Sequence, residues 1–489
     1  MNYLLWLFPA LTVAAAVASG RISTTLAAFL GLVVAIPVAA LTGPGLFGGE
    51  QLMVALTRGF WIGLTIAPYI LGGLFFWQIA VPGARPGAQG TLPVETKAPS
   101  SALAQRRLLF FACFLIGPFA ESATGFGVGM LGTIALIRHL NISPRHLMVF
   151  ALMSQTLIPW GGMGSGTMLA AAYARMPANE MGFYSALPTG LLMLIWLPLF
   201  WRTAKLAGFK ASRRESVREA IWISVGLSLL AIATLYLGPE AALLATYGPL
   251  IVIYYLFERR PDLKHTLATS RKILPFILLI SSLALSRLAP EAQHTLSTVA
   301  AVTPFSDLPA WPPLYHAGSW LVAGGVLTAL WQRRAASLAR EGVAAWNTGK
   351  PAVLAVFLFA MMAEVLSAAG ISQAIANGMF AKLEQGALVL TPLLSGAFGI
   401  LTNSGNAPNS LFMSSQLALG IQAGLGIPAV AALQHVSGTA MSSFSPVRMS
   451  IAATLTHGHG QERTVYAALL PYIGMCFALL AMMACAIML

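Results

Sequence analysis

The chain has little charge. Of its 489 residues only 9% are Asp, Glu, Lys or Arg, while 57% are hydrophobic. A soluble domain carries about a quarter of its residues as charges. This scarcity excludes a water-soluble globular protein and leaves a polytopic membrane protein. Cysteine is scarce as well. Cys113, Cys476 and Cys485 each lie in an apolar run, without the polar context or spacing of a disulfide framework or a zinc site. Acidic residues number 15 against 28 basic ones, for a formal net charge of +13. Such a balance can indicate nucleic acid. Here the basic residues collect in loops between apolar runs, as cytoplasmic loops do, and no nucleic-acid partner is expected. The first apolar run has no basic segment before it and a second follows at once, so no cleavable leader is expected.

Runs long enough to span a bilayer, about 17–25 residues, lie near 3–19, 24–42, 51–80, 184–204, 219–237, 241–257, 273–289, 313–331, 351–369 and 465–488. The run 51–80 is long for one straight span and is expected to begin with a surface turn around Glu50 to Arg58. Four loops hold most of the cations. They carry Arg85, Lys97, Arg106 and Arg107; then Arg202, Lys205, Lys210, Arg213, Arg214 and Arg218; then Arg259, Arg260, Lys264, Arg271 and Lys272; then Arg333, Arg334, Arg340 and Lys350. The alternate connections 43–50, 238–240 and 290–312 carry no Lys or Arg. The bias places the four basic loops in the cytoplasm and both termini outside a cytoplasmic membrane.

Two regions do not resolve into simple spans, 107–177 and 387–456. Arg138, His139, Arg145 and His146 lie midway in the first, so the chain is expected to return there to the cytoplasm. Residues 107–137 then form a re-entrant hairpin turning at Glu121–Gly125. Residues 146–177 cross outward, interrupted at Pro159–Gly166. Ordinary crossings are the alternative, but they would expose the Arg138–Arg145 cluster outside. The second half runs the same way upside down: a hairpin over 387–421 turning at Thr402–Asn409, then a crossing over 428–456 interrupted around Ser437–Pro446. At one common offset Gly117 and Phe119 pair with Gly396 and Phe398, and Gln155 with Gln434. The expected fold is an all-α polytopic membrane protein of about 12 transmembrane helices plus two re-entrant hairpins in inverted repeats. The expected units are scaffold helices over 1–106, a first hairpin and broken helix over 107–183, further scaffold over 184–350, and a second repeat with the last span over 351–489.

Helix-breaking polar residues at membrane depth are costly unless they line a cavity or a site. A matched pair of such breaks is a sequence-level pointer to a transport site. A broken helix leaves N–H groups free at one half-helix and carbonyls at the other, which suit an anion and a cation respectively. Ser122, Thr124, Thr402, Asn403, Ser404, Asn406 and Asn409 supply neutral hydrogen bonders, and Gly125, Gly127 and Gly405 let a ligand approach the backbone. Glu121, the only acid in its apolar stretch, reads as a proton carrier or substrate contact, against a carboxyl that merely caps a helix end. Arg448, after Pro446, either snorkels to the surface or clamps a carboxylate in a fork. Gln155, Gln434 and His435 read first as interhelical hydrogen bonders, as does Glu364. His457-Gly-His-Gly460 lacks further ligands for a metal, and Gly125-Phe-Gly-Val-Gly129 has no strand before it to make a dinucleotide fingerprint. No cofactor and no metal are expected. The serines at the breaks have no His–Asp partners, which argues against an intramembrane enzyme. The paired breaks favour alternating access over an open channel.

These same residues carry a family resemblance. Phe119-Ala-Glu-Ser-Ala-Thr-Gly-Phe-Gly127 resembles the "FLEGATGFG" element of the bacterial L-lactate permease family. Leu401-Thr-Asn-Ser-Gly-Asn-Ala-Pro-Asn-Ser-Leu-Phe412, with Gln416, is similar to its "LTGSDTSSNALF…Q" element. Ser445-Pro446 with Ala452 and Ala453 resembles its later "SPxNxAVA" element. The resemblance implies proton-coupled uptake of small 2-hydroxymonocarboxylates such as lactate and glycolate, and membership of a wider ion-transporter group with two inverted repeats. It also admits a homodimer, although no residue marks an interface. Two departures stand out: the family's acid in the second element falls on Gly405, and the asparagine of the third falls on Arg448. They leave open another organic anion and sodium coupling, since Thr402, Asn403 and Ser404 suit sodium as well as a carboxylate.

Overall fold

The computed structural model describes residues 2–81, 101–125, 127–259 and 263–489. Arg85, Lys97, Phe126 and Arg260 lie outside the described residues, as do the side chains of Arg259 and Lys264. The helices in chain order are α1 (Tyr3–Ala18), α2 (Thr24–Thr42), α3 (Gly49–Ala80), α4 (Ala102–Phe111), α5 (Gly117–Thr124) and α6 (Val128–Ile137), with a π-helical turn at Ala112–Ile116 joining α4 to α5. They continue as α7 (Pro144–Met153), α8 (Gly161–Ala174), α9 (Ala178–Leu206), α10 (Arg213–Leu237), α11 (Pro239–Arg259), α12 (Leu263–Leu288), α13 (Pro290–Thr298) and α14 (Ala317–Trp331). The remainder are α15 (Leu338–Ala368), α16 (Ile371–Leu383), α17 (Leu390–Thr402), α18 (Asn406–Gln422), α19 (Ile427–Met441), α20 (Pro446–Thr456) and α21 (Glu462–Ile487).

This is an all-α polytopic membrane protein. Among the described residues nine helices are long and apolar enough to cross a membrane, or up to eleven if two bent pairs each count as one span. In hydrocarbon every backbone polar group must be satisfied within the chain, and helices do that locally. The outward faces carry side chains such as Leu4, Phe8, Leu187, Leu194, Leu327 and Leu470, each exposed, which suits lipid rather than water.

Two helical hairpins recur in the expected order, each followed by a broken helix. In the first, α4, the π turn and α5 pack against α6. Pro118 has no N–H to give to the turn before it, and the π turn falls where that bond is missing. In the second, α17 packs against α18. The broken helices are α7–α8, whose pieces meet at 59°, and α19–α20. Gln155 lies in the turns of the first break and Gln434 within α19, yet each reaches the second arm of its own hairpin. The Nε2 of Gln155 lies 3.0 Å from where a Cβ of Gly129 would stand. Gln434 Nε2 donates to Pro408 O at 3.1 Å, and Pro408 stands to Gly129 at the same offset as Gln434 to Gln155.

Several boundaries differ from expectation. The hairpin tips are tighter: Glu121–Thr124 form the last turn of α5, and Asn406–Asn409 the first turn of α18. The first break starts earlier than Pro159. Helix α7 ends at Met153 and Ser154–Leu157 form turns, with a second distortion where Gly162, Met163 and Gly164 take φ of 54°, 56° and 61°. The second break is narrower than Ser437–Pro446, because α19 stays helical through Met441 and the chain turns extended at Ser445. Finally, α3 has no surface turn at Glu50–Arg58 and is helical from Gly49 on, with Gln51 Oε1 accepting from Gly48 N at 3.0 Å. Arg58 suggested a loop by its charge. In the fold Glu364 on α15 neutralises it, at 2.8 Å from Arg58 Nε.

Paired charges sit at both ends of the bundle. At the end holding the α4 and α10 N-termini, Arg106 pairs with Glu219, and Arg107 with Glu215 and Glu258. Both arginines are on helix α4, not in a loop. At the opposite end Arg58 forks onto Asp307 at 3.0 and 2.6 Å, and Arg175 approaches Asp307 and Glu364. Hydrogen bonding from Arg58 pushes the Asp307 carboxyl down to about 2. A depressed carboxyl stabilises the fold above its unfolded value of about 4 and loses that contribution as pH falls through the folded one. Asp307 is half-exposed, so solvent limits the effect to about 1 kcal/mol or less. Thermal unfolding of purified wild type and Asp307→Asn should show a small gap at neutral pH that closes between about pH 4 and about pH 2. A gap that widens on acidification would refute the pairing.

Candidate functional site

The two hairpin tips and the two broken helices meet at one polar centre. Gly125 and Gly127 take φ of 72° and 77°, a region open to glycine without strain, and so turn the chain within three residues. The turn aims the N-terminus of α6 back at α5. Gly127 N and Gly129 N donate to the two carboxylate oxygens of Glu121 at 3.2 and 3.1 Å. Two of the N–H groups at this turn are thus taken by the hairpin's own acid, a favourable place for negative charge. Glu121 is 3% exposed.

Arg448 faces Glu121 from α20. Its Nη1 lies 3.6 Å from Glu121 Oε1 and donates to Gln155 Oε1. Its Nε donates to Asn403 Oδ1 at 3.2 Å. Ser445 Oγ accepts from Arg448 N at 3.1 Å, capping α20, and donates to the same Asn403 oxygen at 2.6 Å. One guanidinium therefore joins the first hairpin, the first broken helix, the second hairpin and the second broken helix. It does not snorkel: it is 6% exposed.

A cavity of about 520 Å³ opens at this centre. Of the residues singled out in the sequence, Glu121, Thr124, Gly125, Thr402, Asn403, Ser404, Gly405, Asn406 and Arg448 line it. Ser122, Gln155, Asn409 and Gln434 do not. The Ser122 hydroxyl donates back to Phe119 O at 2.6 Å within its helix. Gln155 holds Arg448 from behind. Gln434 Nε2 donates to Ser395 Oγ and Pro408 O at 3.0 and 3.1 Å, while its buried Oε1 has no partner among the described residues. Asn409 Nδ2 lies 2.9 Å from His435 Nδ1. With that amide donating, the ring proton belongs on Nε2, which reaches Thr167 Oγ1 at 2.9 Å. Thr167 in turn donates to Pro159 O. This neutral chain ties α18 and α19 to α8 and is structural.

The cavity wall also includes Gly161, Gly162 and Ser165 of α8 and Thr439 of α19, which fall inside the two expected breaks without being singled out, and Ser23–Thr25 with Thr348, Pro351 and Ala352 at the mouth. The interruption at Pro159–Gly166 was the one available signal for the α8 group. Nothing marked the mouth, which is built from ordinary scaffold helices. His457 ends α20 in a left-handed turn and His459 lies 3.8 Å from Glu462. Among the described residues no group of three His, Cys, Asp or Glu could hold a metal ion.

Two broken helices and two hairpins enclosing a polar cavity within an apolar bundle are the architecture of a membrane transporter. The chain is a divergent relative of the L-lactate permeases. Those of Salmonella typhi and Salmonella typhimurium are each 22% identical to it over 472 residues, covering 85% of this chain and 83% of theirs. No protein-family model matches. Among solved structures, MtrF of Neisseria gonorrhoeae, described as one of a class of antimetabolite efflux pumps, matches 94% of this chain and 93% of its own at 12% identity, with a TM-score of 0.48.

Proposed function

We propose that this protein is a secondary active transporter that moves a small organic monocarboxylate of the lactate or glycolate type across the cytoplasmic membrane by proton symport with alternating access. The observation that carries the reading is the cavity at the hairpin tips, walled by one carboxylate and one guanidinium. Glu121 is the proton site, and Arg448 with the Asn403–Asn406 turn is the anion site. A carboxylate on the guanidinium would gain charge-assisted hydrogen bonds. The basic loops lie in the cytoplasm with both termini outside, and the mouth at Ser23–Thr25, Thr348, Pro351 and Ala352 faces inward. The units 107–183 and 351–489 carry the site and move against the helices of 1–106 and 184–350.

The proton reading is favoured over sodium by what the second hairpin's oxygens already do. Asn403 Oδ1 accepts from the Arg448 cation, which would repel a sodium ion there. Thr402 Oγ1 donates to Phe398 O at 2.7 Å. Radiolabelled lactate and glycolate uptake into proteoliposomes tests the reading. Accumulation driven by an inward proton gradient is the expected result. Acceleration by inward sodium and not by protons would reassign the coupling ion. No uptake with either gradient would sink the monocarboxylate reading.

A further inference from the structure

A second cavity, of about 620 Å³, lies between the end of α9 and the first half of α10. It shares no residue with the cavity at the hairpin tips. One wall is a face of α10, where Arg213, Val217, Ile221 and Val225 recur every fourth residue and so stand in one row. All four are exposed. Trp201 of α9 forms another wall, and its Nε1 donates to Glu219 Oε2 at 2.7 Å. Arg106 holds that carboxylate and also donates to Phe209 O, in the connection between the two helices, at 2.8 Å. Buried bonds therefore fix the walls of this groove. From Arg213 to Val225 the row is about 18 Å of helix. Half of a bilayer with its headgroups is roughly 20 Å. The groove is as long as one leaflet is deep, with its cation at one end and its apolar residues along the rest.

The charged end is not neutralised by the protein. Lys205, Lys210, Arg213 and Arg214 are exposed and form no ion pair among the described residues. The two acids of α10, Glu215 and Glu219, are buried and already taken, the first by Arg107 and Arg218 and the second by Arg106. We propose that this groove seats one anionic glycerophospholipid, with its phosphate on Arg213 and an acyl chain along Val217, Ile221 and Val225. The guanidinium gives the phosphate charge-assisted hydrogen bonds, and the neighbouring cations add attraction for an anionic headgroup. Trp201 is of the residue type that favours the boundary between headgroups and hydrocarbon. A second copy of the chain fits this face poorly. Two copies in one membrane present the same end of α10 to the same side, so pairing these faces would bring two clusters of unpaired cations together. A lipid with a net negative head removes that charge instead.

Native mass spectrometry of the full-length protein in detergent, with equimolar dioleoyl phosphatidylglycerol and dioleoyl phosphatidylcholine, tests this. One phosphatidylglycerol should be retained in preference to phosphatidylcholine. Arg213→Gln should weaken its binding about fivefold. Ser224→Trp keeps every cation but fills the groove from an exposed position, and it should weaken binding as well. Arg333→Gln removes an exposed cation on another connection and should leave retention unchanged. Equal retention of the two lipids would overturn the proposal. So would retention that neither Arg213→Gln nor Ser224→Trp lowers, or a loss in Arg333→Gln equal to that in Arg213→Gln. Glycerol phosphate, which is the head without the chains, should not displace the lipid. Displacement by it would assign the cations to a free phosphate compound. A dimer mass that Ser224→Trp converts to monomer would assign the face to a second copy. None of these readouts depends on transport, so the transport reading stands or falls separately.

Discussion

Gly405→Asp is expected to unfold the second hairpin's contact rather than to supply a second proton site. The L-lactate permease element that this segment resembles has an acid at that position, so the substitution looks like a restoration. The packing forbids it. A Cβ at Gly405 would stand 2.1 Å from Thr439 Cγ2 and 3.0 Å from Thr439 Cα. Thr439 cannot readily turn its methyl aside, since its Oγ1 donates to His435 O at 2.7 Å and the residue is buried. Overpacking of this kind costs about 1–3 kcal/mol, and a carboxylate buried without partners adds to that. Thermal unfolding should show a clear loss for Gly405→Asp, most of it already present in Gly405→Ala, and uptake should fall with the amount of folded protein. Thr439→Ala in the same chain removes the nearest atom and should recover part of the stability. A Gly405→Asp protein as stable as wild type would show that the hairpin and α19 are not in this contact.

The same comparison shows what could be read from the residues and what could not. Both hairpins were placed by loop charge alone. Arg138 and Arg145 are exposed, which is what the loop-charge reading asks of solvated cations. Charge alone does not separate a loop cation from one that is paired inside the fold. Arg58 and Arg106 have the composition of loop residues and lie within helices, and only their distant partners, Glu364 and Glu219, explain it. Polar residues at the breaks were recognisable as a set, because their cost in hydrocarbon demands a reason. Which of them face the cavity depends on helix rotation at the tips. Glu121 and Thr124 line it while Ser122, between them, turns back into its own helix. Gly405 could be noted as an acid missing, but the reason for a glycine there is a helix more than thirty residues later in the chain.

Arg106→Ala should be among the most destabilising single substitutions in the protein, at about 3–5 kcal/mol. Arg106 is 1% exposed. Its Nε and Nη2 donate to the two oxygens of Glu219, each at 2.9 Å, and its Nη1 donates to Phe209 O at 2.8 Å. Trp201 Nε1 donates to Glu219 Oε2 at 2.7 Å, and the guanidinium carbon lies 4.9 Å from the Phe200 ring centroid. Removing the cation leaves Glu219 charged and buried with one donor, which is where most of the cost arises. Glu219→Gln should cost a similar amount from the other side. Replacing both together, Arg106→Met with Glu219→Leu, should recover most of the loss, because a buried pair offsets its own desolvation only in part. Chemical unfolding of the wild type, Arg106→Met, Glu219→Leu and the double variant that combines them closes the cycle, and additive losses in the double variant would contradict a direct pair. The pair anchors α4 to α10 at the base of the first hairpin, two helical segments away from Glu121 at its tip. Uptake by the fraction that remains folded should therefore keep the wild-type concentration dependence. A changed concentration dependence would mean that the base of the hairpin also sets the position of its tip.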